Sequence, residues 1–305
     1  MEQNEFIKKL NMYFHDIEAD YFVDRHTFRF KNEAKLYRNF FRKHSKKFPS
    51  GNIRILELAT GTGFVPKILL SFDWSPVYIC TDISLSMLDK MKKSNRFSHK
   101  EFLHYVICDS ERTPFKKESF DLVICNASMH HFPDIQNFCL EVDRVLNGQG
   151  IAIIGHEPNR LFWTNRAISL LYRLLQKIQT ISRKKSNSLK LDYDYKIICQ
   201  RLNNRLLKNG LIKEPLSTET ILGYVDIHSP NSGKKIDYSR GFIVKEIKRN
   251  FFKDYILKDL RYHYHGENLN RKGFINRLFE VYNRVFFPNS APSFSLILEK
   301  PINKN

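Results

Sequence analysis

Apolar side chains recur three or four positions apart near the N-terminus, with Phe6, Leu10, Phe14 and Ile17 in sequence. That spacing marks one face of a helix, so residues 1–50 are expected to form a helical segment. From residue 53 the pattern changes to short apolar runs at 53–58, 77–82, 104–109, 120–126 and 151–155. Such runs, without polar alternation, are typical of strands buried on both faces. Helical patterns separate them, notably Leu85–Met91 and Ile135–Leu146, and Gly148 and Gly150 are expected to stop the second. Alternating strands and helices predict an α/β fold with a mostly parallel sheet covered on both sides.

The rhythm breaks after His156. Residues 160–240 carry helical patterns, with one apolar face marked by Ile168, Leu171, Leu175 and Ile178 and another by Ile197, Leu202 and Leu206. After the turn-rich Ser229–Gly233, strands are expected at Asp254–His263 and Ser293–Leu298, with a helix near 271–286 between them. The chain therefore divides into an N-terminal lid or cap segment (1–50), a ligand-binding core (51–159), a helical insertion after the fifth strand (160–240) and the rest of the core (241–305). The insertion lies where α/β folds usually place substrate contacts.

With 305 residues, 42% of them apolar, the chain can bury a full core. No stretch reaches membrane-spanning length, and Met1–Glu5 lacks the basic-then-apolar build of a signal peptide. None of the five cysteines forms a CxxC pair; Cys80, Cys108 and Cys125 fall in expected strands. Buried thiols in a reducing, cytoplasmic setting are the plain reading, without a metal cluster. A net charge of +18 favours anionic partners or a solvated basic surface without bearing on fold. Its densest tract is Ser182–Lys185.

Ile55–Leu70 reads as a strand, a tight turn and a helix start. Gly61 and Gly63 permit unusual φ values and close approach to a ligand, and Pro66 suits a first helical turn. The lysine and hydroxyl pair of a P-loop is missing, and Pro66 stands where a dinucleotide fingerprint needs its third glycine. Glu57 at the strand end would repel a pyrophosphate, so a phosphate-free ligand bearing a positive group fits better. Asp82 ends the second strand, where a carboxylate accepts ribose hydroxyls. Asp109 ends the third, where it could accept an adenine amine.

These features resemble the class I S-adenosylmethionine-dependent methyltransferases, in particular the small-molecule type with a ubiquinone/menaquinone methyltransferase-like core. The resemblance rests on Glu57–Gly63, Asp82–Ser84, Asp109, Phe120–Asn126, Met129–Phe132 and Glu141–Gly150. It implies a Rossmann-like, seven-stranded sheet whose last strand, Ser293–Leu298, is antiparallel, and S-adenosyl-L-methionine as cofactor. By the same resemblance Gly61, Gly63 and neighbouring amides hold the methionine moiety, and Asp82 binds the ribose. Ile83 packs on adenine, Asp109 meets its amine and Asn126 lies near the amino-acid portion. Ala59 stands where many members have glycine. An N-terminal segment commonly closes over the cofactor, which makes Tyr21 and Phe22 lid residues to test.

Methyl transfer needs alignment and water exclusion more than a universal catalytic residue. A base is called for when the acceptor is a hydroxyl or an acidic carbon. His131, then His130, are the first choices because they follow the fourth strand; His228, in Asp226–Pro230, is a third. Each could equally brace a loop. The three histidines fix no ligand geometry, so no metal is expected. His156 and Glu157 follow the fifth strand at the same sheet edge. Tyr262 and Tyr264 should share one strand face and His263 and His265 the other.

A small-molecule acceptor, aromatic, quinone, polyketide-like or lipid, is the leading expectation. Phe162, Trp163 and Tyr172 could line its pocket or simply pack. The rivals are an RNA or other nucleic-acid methyltransferase, raised by the basic insertion but unsupported by any RNA-binding module, and a non-catalytic cofactor-binding protein. A basic amphipathic stretch at 162–185 could also rest on anionic lipid.

Overall fold

The computed structural model describes residues 2–21, 30–44, 53–72, 76–94, 97, 101–171, 174, 186–230, 237–263, 281, 285–286 and 291–302. The expected helix near 271–286, the Ser182–Lys185 tract, Phe22, Tyr172, Leu175, Ile178, Tyr264 and His265 lie outside these residues or only at their fringe. Among the described residues no helix is long and apolar enough to cross a membrane.

Seven strands form one sheet: β1 (Arg54–Leu58), β2 (Val77–Asp82), β3 (Leu103–Ile107), β4 (Phe120–Asn126), β5 (Leu146–Pro158), β6 (Ile256–His263) and β7 (Ser293–Glu299). Their order is β3-β2-β1-β4-β5-β7-β6. The pairings β1–β2, β1–β4, β2–β3 and β4–β5 are parallel, and β7 runs antiparallel to both β5 and β6. This is the Rossmann-like α/β fold expected, with the last strand reversed. Chain order switches direction at β1, so a crevice opens outside its carboxyl end.

Two apolar clusters sandwich the sheet, one including Ile55, Tyr78 and Leu122 and the other Leu56, Val123 and Ile154. Neighbouring strand residues such as Ile55 and Leu56 thus serve opposite faces, which is why these strands read as unbroken apolar runs.

Some boundaries differ from expectation. β5 starts at Leu146, because Phe120 pairs with Leu146 across an irregular register. Gly148 and Gly150 therefore lie inside a strand and do not cap the preceding helix, which ends at Val145. Cys108 lies just beyond β3.

α1 (Gln3–Glu18) and α2 (Phe30–His44) precede the sheet, α3 (Phe64–Leu69), α4 (Leu85–Lys93) and α5 (Ile135–Val145) alternate with its strands, and α6 (Arg160–Thr164) follows β5. Next come α7 (Ser186–Lys208), α8 (Thr218–Val225) and α9 (Val244–Asn250). A third cluster joins Leu10 and Phe14 of α1 to Ile198, Cys199, Leu202 and Leu206 of α7 and Ile221 and Val225 of α8. The α7 face is centred on Ile198 and Cys199, with Ile197 only half-buried at its edge. Leu171 is exposed, and Phe162 and Trp163 are buried. N-terminal helix and insertion thus share a core and roof the sheet together.

Candidate active site

At the carboxyl ends of β1, β2, β4 and β5 lies a cavity of about 460 Å³, closed from above by α1, α7 and α8. Its lining includes Glu57, Ala59, Gly61, Asp82, Ile83, Asp109, Asn126, His130 and His131. Three non-glycine residues at its strand ends hold positive φ: Ala59 at 53°, Ala127 at 54° and His156 at 56°. Each is an uncommon conformation for a side chain with Cβ, and such strain collects at functional sites.

In the turn after β1, Gly61 has φ 57° and Gly63 φ 85°. Gly61 lines the cavity. Gly63 starts α3, where a Cβ would meet Met91 Sδ at 2.8 Å. Its glycine is therefore demanded by helix packing, and it does not line the cavity. Asp82 ties the turn down: its Oδ2 accepts the Gly61 amide at 2.8 Å and its Oδ1 the Ser84 amide at 2.9 Å. Burial pushes the Asp82 carboxyl pKa up, offset in part by these bonds and by His15. Glu57 is more deeply buried and accepts from the Tyr78 hydroxyl at 2.9 Å. Burial raises its pKa to about 8, so without a cationic neighbour it is mostly neutral at pH 7.

Beyond β3, Asp109 Oδ1 accepts the Glu111 amide at 2.9 Å, and Lys8 Nζ of α1 donates to Asp109 Oδ2 at 2.7 Å. Lys8 also lies 2.6 Å from Glu111 Oε2. Asn126, at the end of β4, accepts from the Tyr37 hydroxyl of α2 at 2.8 Å. The neighbouring Gly155 leaves room for that bond, since a Cβ there would collide with both partners.

After β4 a single 3-10 turn, Met129–His131, carries the two histidines. Glu157, at the end of β5 and fully buried, reaches into its N-terminal end. Its Oε1 accepts the amides of Ser128 at 3.0 Å and Met129 at 2.9 Å. Its Oε2 accepts the His130 amide at 3.1 Å and His130 Nδ1–H at 2.9 Å. Burial alone would raise this carboxyl; the His130 charge and the converging donors outweigh it and move its pKa down. Glu157 is thus an anion that fixes the His130 ring through Nδ1, while His130 Nε2 lies 3.8 Å from Asp226 Oδ1.

His131 differs. Its Nδ1–H donates to Val225 O at 2.7 Å, and burial, then repulsion from His130 and His15, puts its pKa well below the ordinary value. It lines the cavity as a neutral ring. His228 does not line it: the Nε2–H of His228 donates to Phe132 O at 3.0 Å, and its amide donates to His130 O at 3.0 Å. The histidine trio is not assembled. Instead His130, His131 and Asp226 bring one potential ligand atom each within 4.8 Å of one another.

The sequence suggested an N-terminal lid segment but did not single out the α1 residues that line the cavity. Lys8, Asn11, His15 and Glu18 line the cavity from one stripe of α1, at intervals that repeat one helix face. Tyr21 is not in the lining; it packs beside the α1–α7–α8 cluster.

Residues 56–154 match the methyltransferase-domain family. They are a class I S-adenosylmethionine-dependent methyltransferase domain. Its cofactor is S-adenosylmethionine. The chain is 32% identical over 99 residues to the protein RP459 of Rickettsia prowazekii (strain Madrid E), covering 32% of this chain and 40% of that one. It is 30% identical over 130 residues to the non-reducing polyketide synthase trt4 of Aspergillus terreus, covering 39% of this chain and 5% of the synthase. The chain therefore spans only a small part of the synthase. A solved CurJ carbon methyltransferase aligns at 26% identity and a TM-score of 0.38, covering 41% of this chain and 35% of that one. The methyltransferase domain supplies the cavity floor; Lys8, His15, Glu18, Tyr195 and Asp226 all lie outside the matched residues.

Proposed function

We propose that this chain transfers the methyl group of S-adenosylmethionine to an acidic carbon of a small molecule, with His130 as the base. The observation that carries this reading is His130, half-buried in the cavity wall and held from behind by the fully buried Glu157. An anion fixed by three backbone amides holds His130 Nδ1–H, which orients the ring and stabilises the imidazolium formed when Nε2 takes a proton. An amine or thiol acceptor would not require such a pair. The 30% identity to a polyketide synthase supports a polyketide-like, β-dicarbonyl acceptor, whose carbon proton is acidic enough for an imidazole.

For the cofactor, Asp82 receives the ribose hydroxyls, Ile83 lies against the adenine and Asp109 takes its amine. Asn126, Ala59 and the Gly61 turn meet the amino-acid end, where the ammonium group gives Glu57 a reason to ionise. Gly63 serves by shaping the turn. Bound S-adenosylmethionine supplies an electrophilic methyl on sulfur; the protein must align the acceptor carbon behind it and exclude water, which the roof does.

The test uses acetoacetyl-N-acetylcysteamine and S-adenosylmethionine with mass-spectrometric and NMR product analysis. A C-methylated product is expected, with Glu157→Gln slowing turnover by roughly 10²–10⁴-fold at unchanged cofactor affinity. O-methylation, or a Glu157→Gln rate equal to wild type, contradicts the reading.

A further inference from the structure

The His130–Glu157 pair has a counterpart on the roof. His15 Nδ1–H donates to Glu18 Oε2 at 2.8 Å, and both residues line the same cavity. Glu18 is buried, and the His15 ring meets the His131 ring edge-on at a centroid distance of 5.1 Å. The Nδ1–H bond leaves His15 Nε2 to meet whatever fills the cavity.

Deprotonating a carbon acid moves negative charge onto its carbonyl oxygen, and that oxygen needs a donor in place. Four other donors around the cavity are committed. Lys8 is held by Asp109 and Glu111, and Asn11 Nδ2 by Ile7 O and Tyr224 O. The Thr60 hydroxyl bonds to Glu57 O and the Ser128 hydroxyl to Asn126 O. His131 spends Nδ1–H on Val225 O and stays neutral, so its Nε2 can only accept. His15 is the opposite. Burial opposes its charge, but Glu18, then Asp82 of β2 and Asp226 beyond α8, outweigh burial and raise its pKa, with His131 the other titrating ring against it.

We propose that His15, oriented by Glu18, is a second catalytic residue that donates a hydrogen bond from Nε2 to the enolate oxygen of the acceptor. This rests on the carbon-acid reading above. His130 Nε2 takes the proton from the acceptor carbon. The C–H electron pair becomes the enolate double bond as the carbonyl π pair moves to oxygen, where His15 Nε2–H meets it. The enolate carbon then forms its bond to the methyl group, the methyl–sulfur bond breaks with its pair left on sulfur, and the carbonyl re-forms. The proton on His130 leaves to solvent. Half of the chemistry thus arrives on α1, so the site is complete only when the roof is seated.

The test needs no turnover. The stable enolate of 1,3-cyclohexanedione is titrated by calorimetry into protein saturated with S-adenosylhomocysteine. Wild type is expected to bind it at least tenfold more tightly than His15→Leu, with His15→Gln, which keeps a neutral donor, in between, and with all three binding S-adenosylhomocysteine alike. Failure of wild type to bind the enolate, or equal binding by His15→Leu, overturns the proposal. Should His15→Leu lose S-adenosylhomocysteine or its fold, the comparison of His15→Gln with Glu18→Gln decides: both must weaken the enolate while keeping the cofactor product, and intact binding in both overturns the role. Enolate binding that depends on His15, in a protein that methylates no carbon acid, would sink the proposed function and leave this site standing.

Discussion

The floor and the roof of the cavity are fastened by different means. On the floor, three carboxylates accept backbone amides: Asp82 from Gly61 and Ser84, Asp109 from Glu111, and Glu157 from three successive residues; Glu57 instead accepts from the Tyr78 hydroxyl. On the roof, side chains hold side chains. Lys8 grips Asp109, Asp16 takes the Ser84 hydroxyl and Arg205, and His15 takes Glu18. Behind these polar ties the roof has its own apolar cluster of α1, α7 and α8. Side-chain ties and one small cluster can release locally without disturbing the strands. The floor is thus tied mainly through backbone amides, and the roof through side chains and one apolar cluster of its own.

The largest effect that sharpens this contrast comes from Glu57, at the centre of the floor. Its pKa is raised from 4.5 to about 8 in the folded protein. The raised value means that stability is fully present below pH 4.5, is lost as pH rises through about 8, and is level beyond. The linkage amounts to roughly 4–5 kcal/mol at about 1.4 kcal/mol per unit. Glu57→Gln is expected to flatten that fall in chemical denaturation of ligand-free protein; an unchanged slope would mean the acid is not held neutral.

Next in size is Leu202, fully buried in the roof. Leu202→Ala removes packing worth about 2–5 kcal/mol. Hydrogen exchange should accelerate in α1, α7 and α8 and stay unchanged in β1 and β4. Equal acceleration in both regions would erase the distinction between roof and floor. The smallest effect is expected at Ala59, whose φ of 53° suits glycine better. Ala59→Gly should stabilise the floor by about 0.5–1 kcal/mol, seen as a modest rise in Tm.

The floor was readable because parallel strands buried on both faces leave continuous apolar runs, and each ends in a polar residue at the same sheet edge. Asp82, Asp109 and the Gly61 turn followed from that alone. The lining residues of α1 in the roof were not readable. The stripe Lys8, Asn11, His15 and Glu18 looks like any solvated helix face until α1 is placed over strand ends far along the chain. Choosing between His130 and His131 needed the 3-10 turn, which swings adjacent side chains about 120° apart and gives one to Glu157 and the other to Val225. His228 was a fair choice by position, but its ring serves the Phe132 carbonyl instead. Gly63 looked like a ligand contact because the packing against Met91 that demands it leaves no mark in the local pattern.

Calorimetric titration of S-adenosylmethionine into wild type, Asp82→Ala and Glu157→Gln tests the central claim most directly. One cofactor should bind per wild-type chain, Glu157→Gln should match it, and Asp82→Ala should bind at least about a hundredfold more weakly, in line with the loss of charged hydrogen bonds. Undiminished binding by Asp82→Ala in a folded protein, or no binding by wild type, would contradict it.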